Sequence, residues 1–456
     1  MTDATAPDLP MDLPGRGKSL YDETDRTRRR NAAERRFRVY GLIAISIGIA
    51  SLIALLVSIL GNGLPAFKQT YIVMDVTLSE DVLDKEGNRN RDDIAKVMTF
   101  GYAPLIRAAA QDLVRNLETG ADTDVAGLTD AMIGDMISRE APGQLRRFVL
   151  ANPDLIGTTQ SFEFLANGRI DGYFKGRVTM ESAAIDGNVT PEQLLAADKL
   201  EASGALVTRF NWQFLTAPDA SDQRPEAAGL GVAILGSVYM MLVVLVLALP
   251  IGVSASIYLE EFAPKNRITD IIEVNISNLA AVPSIVFGIL GLAVFINYAH
   301  LPQSAPIVGG LVLTLMTLPT IIISTRAALK SVPPSIKDAA LGVGASKMQT
   351  VFHHVLPLAM PGILTGAILG LAQALGETAP LLLIGMVAFV RDYPGVPPEG
   401  FFDPSTALPV QVYNWTQRSD PAFFERASGA IIVLLVFLVV MNLVAIILRR
   451  RFERRW

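Results

Sequence analysis

Apolar residues gather into six runs of roughly twenty residues or more, and one long polar gap separates the first run from the other five. The runs cover residues 39–60, 230–259, 268–299, 307–323, 358–390 and 427–448. A bilayer core takes about 20 helical residues to cross, so the pattern predicts a membrane all-α fold with six transmembrane helices. Gly61-Asn62-Gly63-Leu64-Pro65 ends the first run with turn-forming residues. Pro283 breaks the third, whose polar interruptions are Asn275, Asn278, Ser284 and Asn297. Most such residues serve interhelical hydrogen bonds, while Asn278 and Ser284 are candidates to line a cavity.

The gap, residues 62–229, mixes both periods. Ile94, Val97, Met98, Tyr102, Leu105, Ile106 and Leu113 lie near helical spacing, which predicts a helix over 91–117. Residues 160–165 and 169–174 alternate around Asn167-Gly168, which predicts a β-hairpin. Pro191 opens a further helix over 191–200. The gap therefore reads as an α+β domain inserted between helices 1 and 2, long enough to bury a core of its own.

Charge orients the chain. Seven arginines lie between Arg26 and Arg38, and the sequence ends in Arg449-Arg450-Arg451-Phe452-Glu453-Arg454-Arg455-Trp456. The positive-inside rule puts both ends in the cytoplasm, and six spans agree with that. Residues 62–229 then fall outside, and the loop 260–267 and the stretch 333–357 fall inside. The gap holds 16 Lys and Arg against 25 Asp and Glu, a net of −9, while the whole chain carries −5. The expected plan is a disordered basic tail over 1–38, helix 1 over 39–61, an acidic extracytoplasmic domain over 62–229, a five-helix membrane domain over 230–449, and a basic tail over 450–456.

With 51% hydrophobic residues and a mean hydropathy of +0.39, this is an integral membrane protein. It has no cysteine, which removes disulfides, thiolate chemistry and cysteine–zinc sites. There is no phosphate loop of the form G-x-x-x-x-G-K-[ST], no zinc signature and no nucleophile motif, so no enzyme activity is expected. His353 and His354 are adjacent, about 100° apart on a helix, which does not suit an i,i+4 metal pair. They read as surface residues, as does His300.

Two stretches carry the candidate chemistry. Residues 333–357 are a short, mildly basic helix between spans, opened by Pro333 and Pro334 and broken by Pro357. Such a helix either lies on the membrane surface or docks something soluble. In the run 358–390, Gly362, Gly366 and Gly370 repeat at four, which permits close helix approach. At about 100° per residue, Gln373 and Glu377 share that face within about 60° of Gly362. A carboxylate in lipid costs a few kcal/mol or more, so Glu377 must face protein or water, and Pro380 adds a kink beside it. Arg326, at a span end, reads as a snorkelling anchor.

The stretch 333–357 also resembles a known element. Asp338-Ala339-Ala340, Gly344 and Leu356-Pro357 match the EAA loop of ABC-importer permeases, E-A-A-x3-G-x9-I-x-L-P, with Asp338 for Glu and His354 for Ile. Residues 211–390 further resemble the PstA family of phosphate-importer permeases. The segments that carry this are Asn211-Trp-Gln-Phe-Leu-Thr, Glu260-Glu-Phe-Ala-Pro-Lys-Asn, Glu273-Val-Asn-Ile-Ser-Asn-Leu-Ala, Val282-Pro-Ser-Ile-Val-Phe-Gly and Leu375-Gly-Glu-Thr-Ala-Pro.

The resemblance implies a multi-pass bacterial inner-membrane permease with Asp338, Ala339, Ala340, Gly344, Leu356 and Pro357 in an ATPase-coupling loop. It implies Glu377, Gln373, Thr378, Asn278 and Ser284 in the translocation path or its gate. Implied partners are a homologous permease (PstC-like), an ATPase dimer (PstB-like) and an extracytoplasmic phosphate-binding protein (PstS-like). No cofactor is expected on this chain, since the partner ATPase uses the ATP and Mg. Many relatives carry an arginine where this sequence has Gln373, so a cation near Glu377 would come from elsewhere. The alternatives are a membrane-anchored sensor of phosphate or another ligand, and a permease for another oxyanion.

Overall fold

Helix α1 runs from Asp25 to Gly63 in the computed structural model, which describes residues 25–118, 128–387 and 389–452. The tail expected over 1–38 needs correction: residues 25–38 are already helical, because Arg, Ala and Glu are good helix formers and Asp25 suits the first turn. Residues 1–24 and 453–456 lie outside the described residues.

The insert follows, beginning with strand β1 (Lys68–Thr77). Ile72, Met74 and Val76 point into its core at every second position. The helix expected over 91–117 is split. Residues Arg91–Ile94 form one turn, and helix α2 begins at Ala103 and runs to Glu118. Pro104 explains the restart, since proline is tolerated only in a first turn. Helix α3 (Ala141–Ala151) leads to strand β2 (Thr159–Leu165).

The expected hairpin does not form. The Asn167 side chain accepts the Arg169 amide at 2.9 Å and caps helix α4 (Gly168–Phe174), while β2 pairs antiparallel with β1. Asn-Gly serves a tight turn and a helix cap equally well, and here the cap wins. Helix α5 (Pro191–Ala202) forms with a Thr190–Gln193 capping box, and strand β3 (Leu206–Phe210) completes a sheet of order β2-β1-β3. Phe162 and Phe164 stack at 5.5 Å, and Phe148 meets Phe162 edge-on at 4.8 Å.

The apolar part begins with helix α6 (Gly231–Ile257). Helices α7 (Arg267–Ala280) and α8 (Ser284–Gly291) make up the third run, bent by 101° at residues 281–283. Helix α9 (Pro306–Lys330), the short α10 (Pro334–Gly342), α11 (Leu356–Gly376) and the five-residue α12 (Ala379–Leu383) follow. The polar loop after them carries helix α13 (Leu408–Thr416), and α14 (Pro421–Phe452) is the last helix. Among the described residues, five helices are long and apolar enough to cross a membrane, and six if the bent pair counts as one span. The glycine face of α11 lies on α9, with Gly362 against Ala328 and Gly366 against Ser324.

A buried polar joint fastens the insert to the start of α14. The Arg426 guanidinium, 2% exposed, donates to the carbonyls of Ala228 (2.6 Å) and Glu226 (2.7 Å) and to Gln69 Oε1 (3.0 Å). One cation thus holds the first strand of the insert and the chain that leaves it. Beside it, Lys175 Nζ bridges Asp171 (2.7 Å) and Glu425 (2.9 Å), and Arg177 also pairs with Glu425. Asp171 in turn accepts the Thr70 amide at 3.0 Å.

Burial pushes the Glu226 carboxyl above its ordinary 4.5, against the Ser138 hydroxyl and Arg426, which draw it down. A carboxyl raised in the folded state contributes stability below its ordinary value and loses it as pH rises through the folded value. The joint should therefore weaken as pH rises above the ordinary carboxyl range, and Glu226→Gln should flatten that slope in thermal unfolding of the purified protein. An unchanged slope would remove Glu226 as its source.

Candidate functional site: a helical hairpin and two helix breaks

Residues 333–357 do not form one helix. Pro334 opens α10 in its first turn, and α10 stops at Gly342. Gly344 follows at φ +90°, a left-handed conformation that favours glycine. The Ala345 amide closes back on the Ala340 carbonyl at 3.1 Å, and a Ser346–Gln349 capping box starts a second arm. Pro357 does not break this arm. A wide π turn over Thr350–Val355 carries the chain into α11, so the apolar helix runs from Lys347 to Gly376. The extra residue in such a turn shifts the carbonyl that the proline ring would otherwise strike.

Asp338, Ala339 and Gly344 thus sit on α10 and its turn, while Leu356 and Pro357 open α11. Ala340 is buried, and Leu341 and Val343 are 48% and 87% exposed. The hairpin presents a small-residue first arm and an uncovered apolar tip.

The second group lies at two helix interruptions. Helix α11 ends at Gly376, and Glu377 is extended (φ −81°, ψ 126°) before Thr378 starts α12. The expected kink at Pro380 is therefore a full break: Pro380 lies in the first turn of a new helix, where its missing amide costs nothing. The other interruption is the bend between Asn278 and Ser284. Helices α8 and α12 pack closely, for a Cβ placed on Gly288 would lie 2.7 Å from the Pro380 Cα. Ser284 is one turn from Gly288, so the two breaks are neighbours.

Glu377 and Thr378 are half-buried, Gln373 and Asn278 exposed, and Ser284 half-buried. Among the described residues, Glu377 has no ion-pair partner. Gln373 shares the helical face of Gly366 in projection, yet it is exposed, whereas Gly366 and Gly370 are buried.

Arg326 is not a free anchor. Its Nη2 donates to Glu273 (2.7 Å) and its Nε lies 3.4 Å from Glu260, linking α9 to α7 and to the end of the second span. Opposite charge at both positions was legible in the sequence, though their proximity was not. Helix α7 has no buried residue, and Ile268, Ile271, Ile272, Val274 and Leu279 leave an uncovered apolar face.

This is the anatomy of a transport permease: spanning helices interrupted at mid-chain and a helical hairpin protruding between spans. Residues 248–456 match the family described as the binding-protein-dependent transport system inner membrane component, and residues 24–184 match a domain of unknown function. A probable ABC transporter permease protein of Bacillus subtilis, YqgI, is 33% identical over 250 residues, covering 52% of this chain and 83% of that one. The phosphate transport system permease protein PstA of Mycobacterium leprae is 33% identical over 242 residues, covering 52% of this chain and 75% of its own. PstA 1 of Mycobacterium tuberculosis H37Rv is 31% identical, covering 50% and 72%. Among solved structures, the inward-facing MetNI methionine ABC transporter aligns at 17% identity and a TM-score of 0.37, covering 49% of this chain and 97% of that one. The chain belongs to the ABC-importer permeases, as a PstA-like member carrying an extra domain near its N-terminus. As such it is a multi-pass inner-membrane protein, of a family that works with an ATPase and a binding protein.

Proposed function

We propose that this chain is a permease subunit of an ATP-driven inorganic phosphate importer. The observation that carries the reading is the match of residues in the permease core to relatives named as phosphate transport permeases. In this reading a homologous permease (PstC-like) covers the apolar face of α7, and the two chains enclose the path. An ATPase dimer (PstB-like), using ATP and Mg, docks on the hairpin of α10 and its second arm, and a PstS-like protein delivers phosphate. ATP hydrolysis belongs to that partner, and this chain binds no cofactor. Both termini and the hairpin face the cytoplasm, and the insert faces outward, as the arginine clusters favour.

The paired helix breaks bring the side chains of Glu377, Thr378, Asn278, Ser284 and Gln373 to the path or its gate. An unpaired Glu377 repels an anion, so its role fits a gate better than a binding site. Glu377→Gln is expected to impair phosphate uptake several-fold or uncouple it from ATP hydrolysis in vesicles holding the whole complex. Wild-type values for both would leave Glu377 a packing residue. Uptake of radiolabelled phosphate, competed with unlabelled phosphate, sulfate and molybdate, tests the cargo. Displacement by sulfate or molybdate at lower concentration than by phosphate would reassign it.

A further inference from the structure

The sequence Glu260-Glu261-Phe262 ends the second span in a wide π turn over Tyr258–Phe262. Consecutive helical side chains diverge by about 100°, so the two carboxylates leave on different sides. Glu261, with a side chain 8% exposed, pairs at 2.5 Å with Lys337 on the first arm of the hairpin. Lys347, on the second arm, lies 5.3 Å above the Phe262 ring. Glu260 takes the opposite direction, to Arg326 (3.4 Å) and Lys330 (3.5 Å) at the end of α9. Arg326 then holds Glu273 on α7 at 2.7 Å. Three adjacent residues therefore touch both arms of the hairpin, the helix from which it hangs and, through one arginine, the bent helix α7.

We propose that this turn is the relay by which the hairpin moves α7, with the Lys337–Glu261 pair as its strut. The inference deepens the proposed function and rests on the hairpin receiving force from an ATPase. The hairpin is joined covalently to α9 and α11, so a push on it reaches those helices through the chain. Helix α7 adjoins neither arm in the chain. The ion pairs Lys337–Glu261 and Glu260–Arg326–Glu273, joined by the backbone between Glu261 and Glu260, connect it to the hairpin, and the bend at residues 281–283 gives α7 a place to pivot. Lys337 is the one cation within ion-pair distance of Glu261 among the described residues, and Glu261 is nearly closed to water. Removal of Lys337 leaves a buried carboxylate without a counter-charge, a situation that favours displacement of the turn.

Lys337 and Glu261 are positioning residues: they touch neither phosphate nor ATP. The test uses the whole importer complex reconstituted in vesicles, with radiolabelled phosphate uptake, ATP hydrolysis and co-purification of the ATPase all measured. Lys337→Met and Glu261→Gln should each lower uptake per ATP hydrolysed by about tenfold, within the usual range of coupling between sites, while the ATPase still co-purifies. Lys337→Arg, which keeps the charge, should retain uptake. The double variant Lys337→Glu with Glu261→Lys should recover most of what either change alone loses. Wild-type uptake per ATP in both single variants overturns the strut, and so does a double variant as impaired as the singles. If no ATPase co-purifies with the unaltered chain, the proposed function itself fails, an outcome separate from any failure of the strut.

Discussion

Replacement of residues 338–344 by a Gly/Ser linker of equal length is expected to reduce phosphate uptake to background while the protein stays inserted. The linker keeps α9 and the second arm connected but removes the rigid arm, the left-handed turn at Gly344 and the Ala345–Ala340 closure. A flexible segment absorbs a push as a change in its own conformation, because its many chain configurations differ little in free energy. The force would then never reach the spans. The second arm keeps its own Ser346–Gln349 capping box, so loss of helix α11 is not an expected side effect. Uptake in vesicles, with surface accessibility of the last loop as the insertion control, reads the result. Normal uptake would remove the hairpin from the coupling path.

The largest effect on stability is expected at Glu425. Its side chain is 5% exposed and faces Lys175 and Arg177, of which Lys175 is 4% exposed. Glu425→Ala leaves Lys175 and Arg177 with the one remaining counter-charge of Asp171 in a site nearly closed to water, and breaking a buried pair typically costs about 3–5 kcal/mol. The first structure to yield should be the seam between the insert and α14, before the spans. Limited proteolysis of the purified protein should therefore cut the insert many times faster than in the wild type, while the spans resist. The further change Lys175→Met should restore part of the loss, because one cation, Arg177, then faces one anion, Asp171. An unchanged cleavage rate would show that the pair contributes nothing.

Apolar runs of spanning length were legible because lipid leaves a chain few ways to satisfy its backbone. The hairpin was legible only in part: Pro334 marked its start, whereas the turn at Gly344 and the Ser346–Gln349 capping box that divide it into two arms were read through as one helix. Failures came where one signal serves two structures or where partners lie far apart. Asn167-Gly168 capped a helix instead of turning a hairpin. Pro357 sat inside a helix because the π turn before it made room. Lys175 and Glu425 are 250 residues apart, and each alone looks like a surface charge. Arg326 passed for an anchor since nothing in its own neighbourhood names Glu260 or Glu273. Of the candidate residues at the two breaks, Glu377, Gln373, Asn278 and Ser284 were singled out by their polarity within apolar runs and Thr378 by the resemblance, and only packing of α8 on α12 brings Ser284 beside the Glu377–Thr378 interruption.

The sheet order has a practical outcome for protein engineering. Strand β1 follows directly on α1, β3 leads toward α6, and the two pair with Lys68 opposite Phe210. Residues facing each other across antiparallel strands have Cα atoms about 5 Å apart, a gap that two residues can bridge. The insert is thus a cassette whose two ends meet. It can be cut out between Lys68 and Phe210 and sealed with Asn-Gly across the pair that those two residues already make. A truncated permease made this way would report what the cassette contributes, free of strain from the splice.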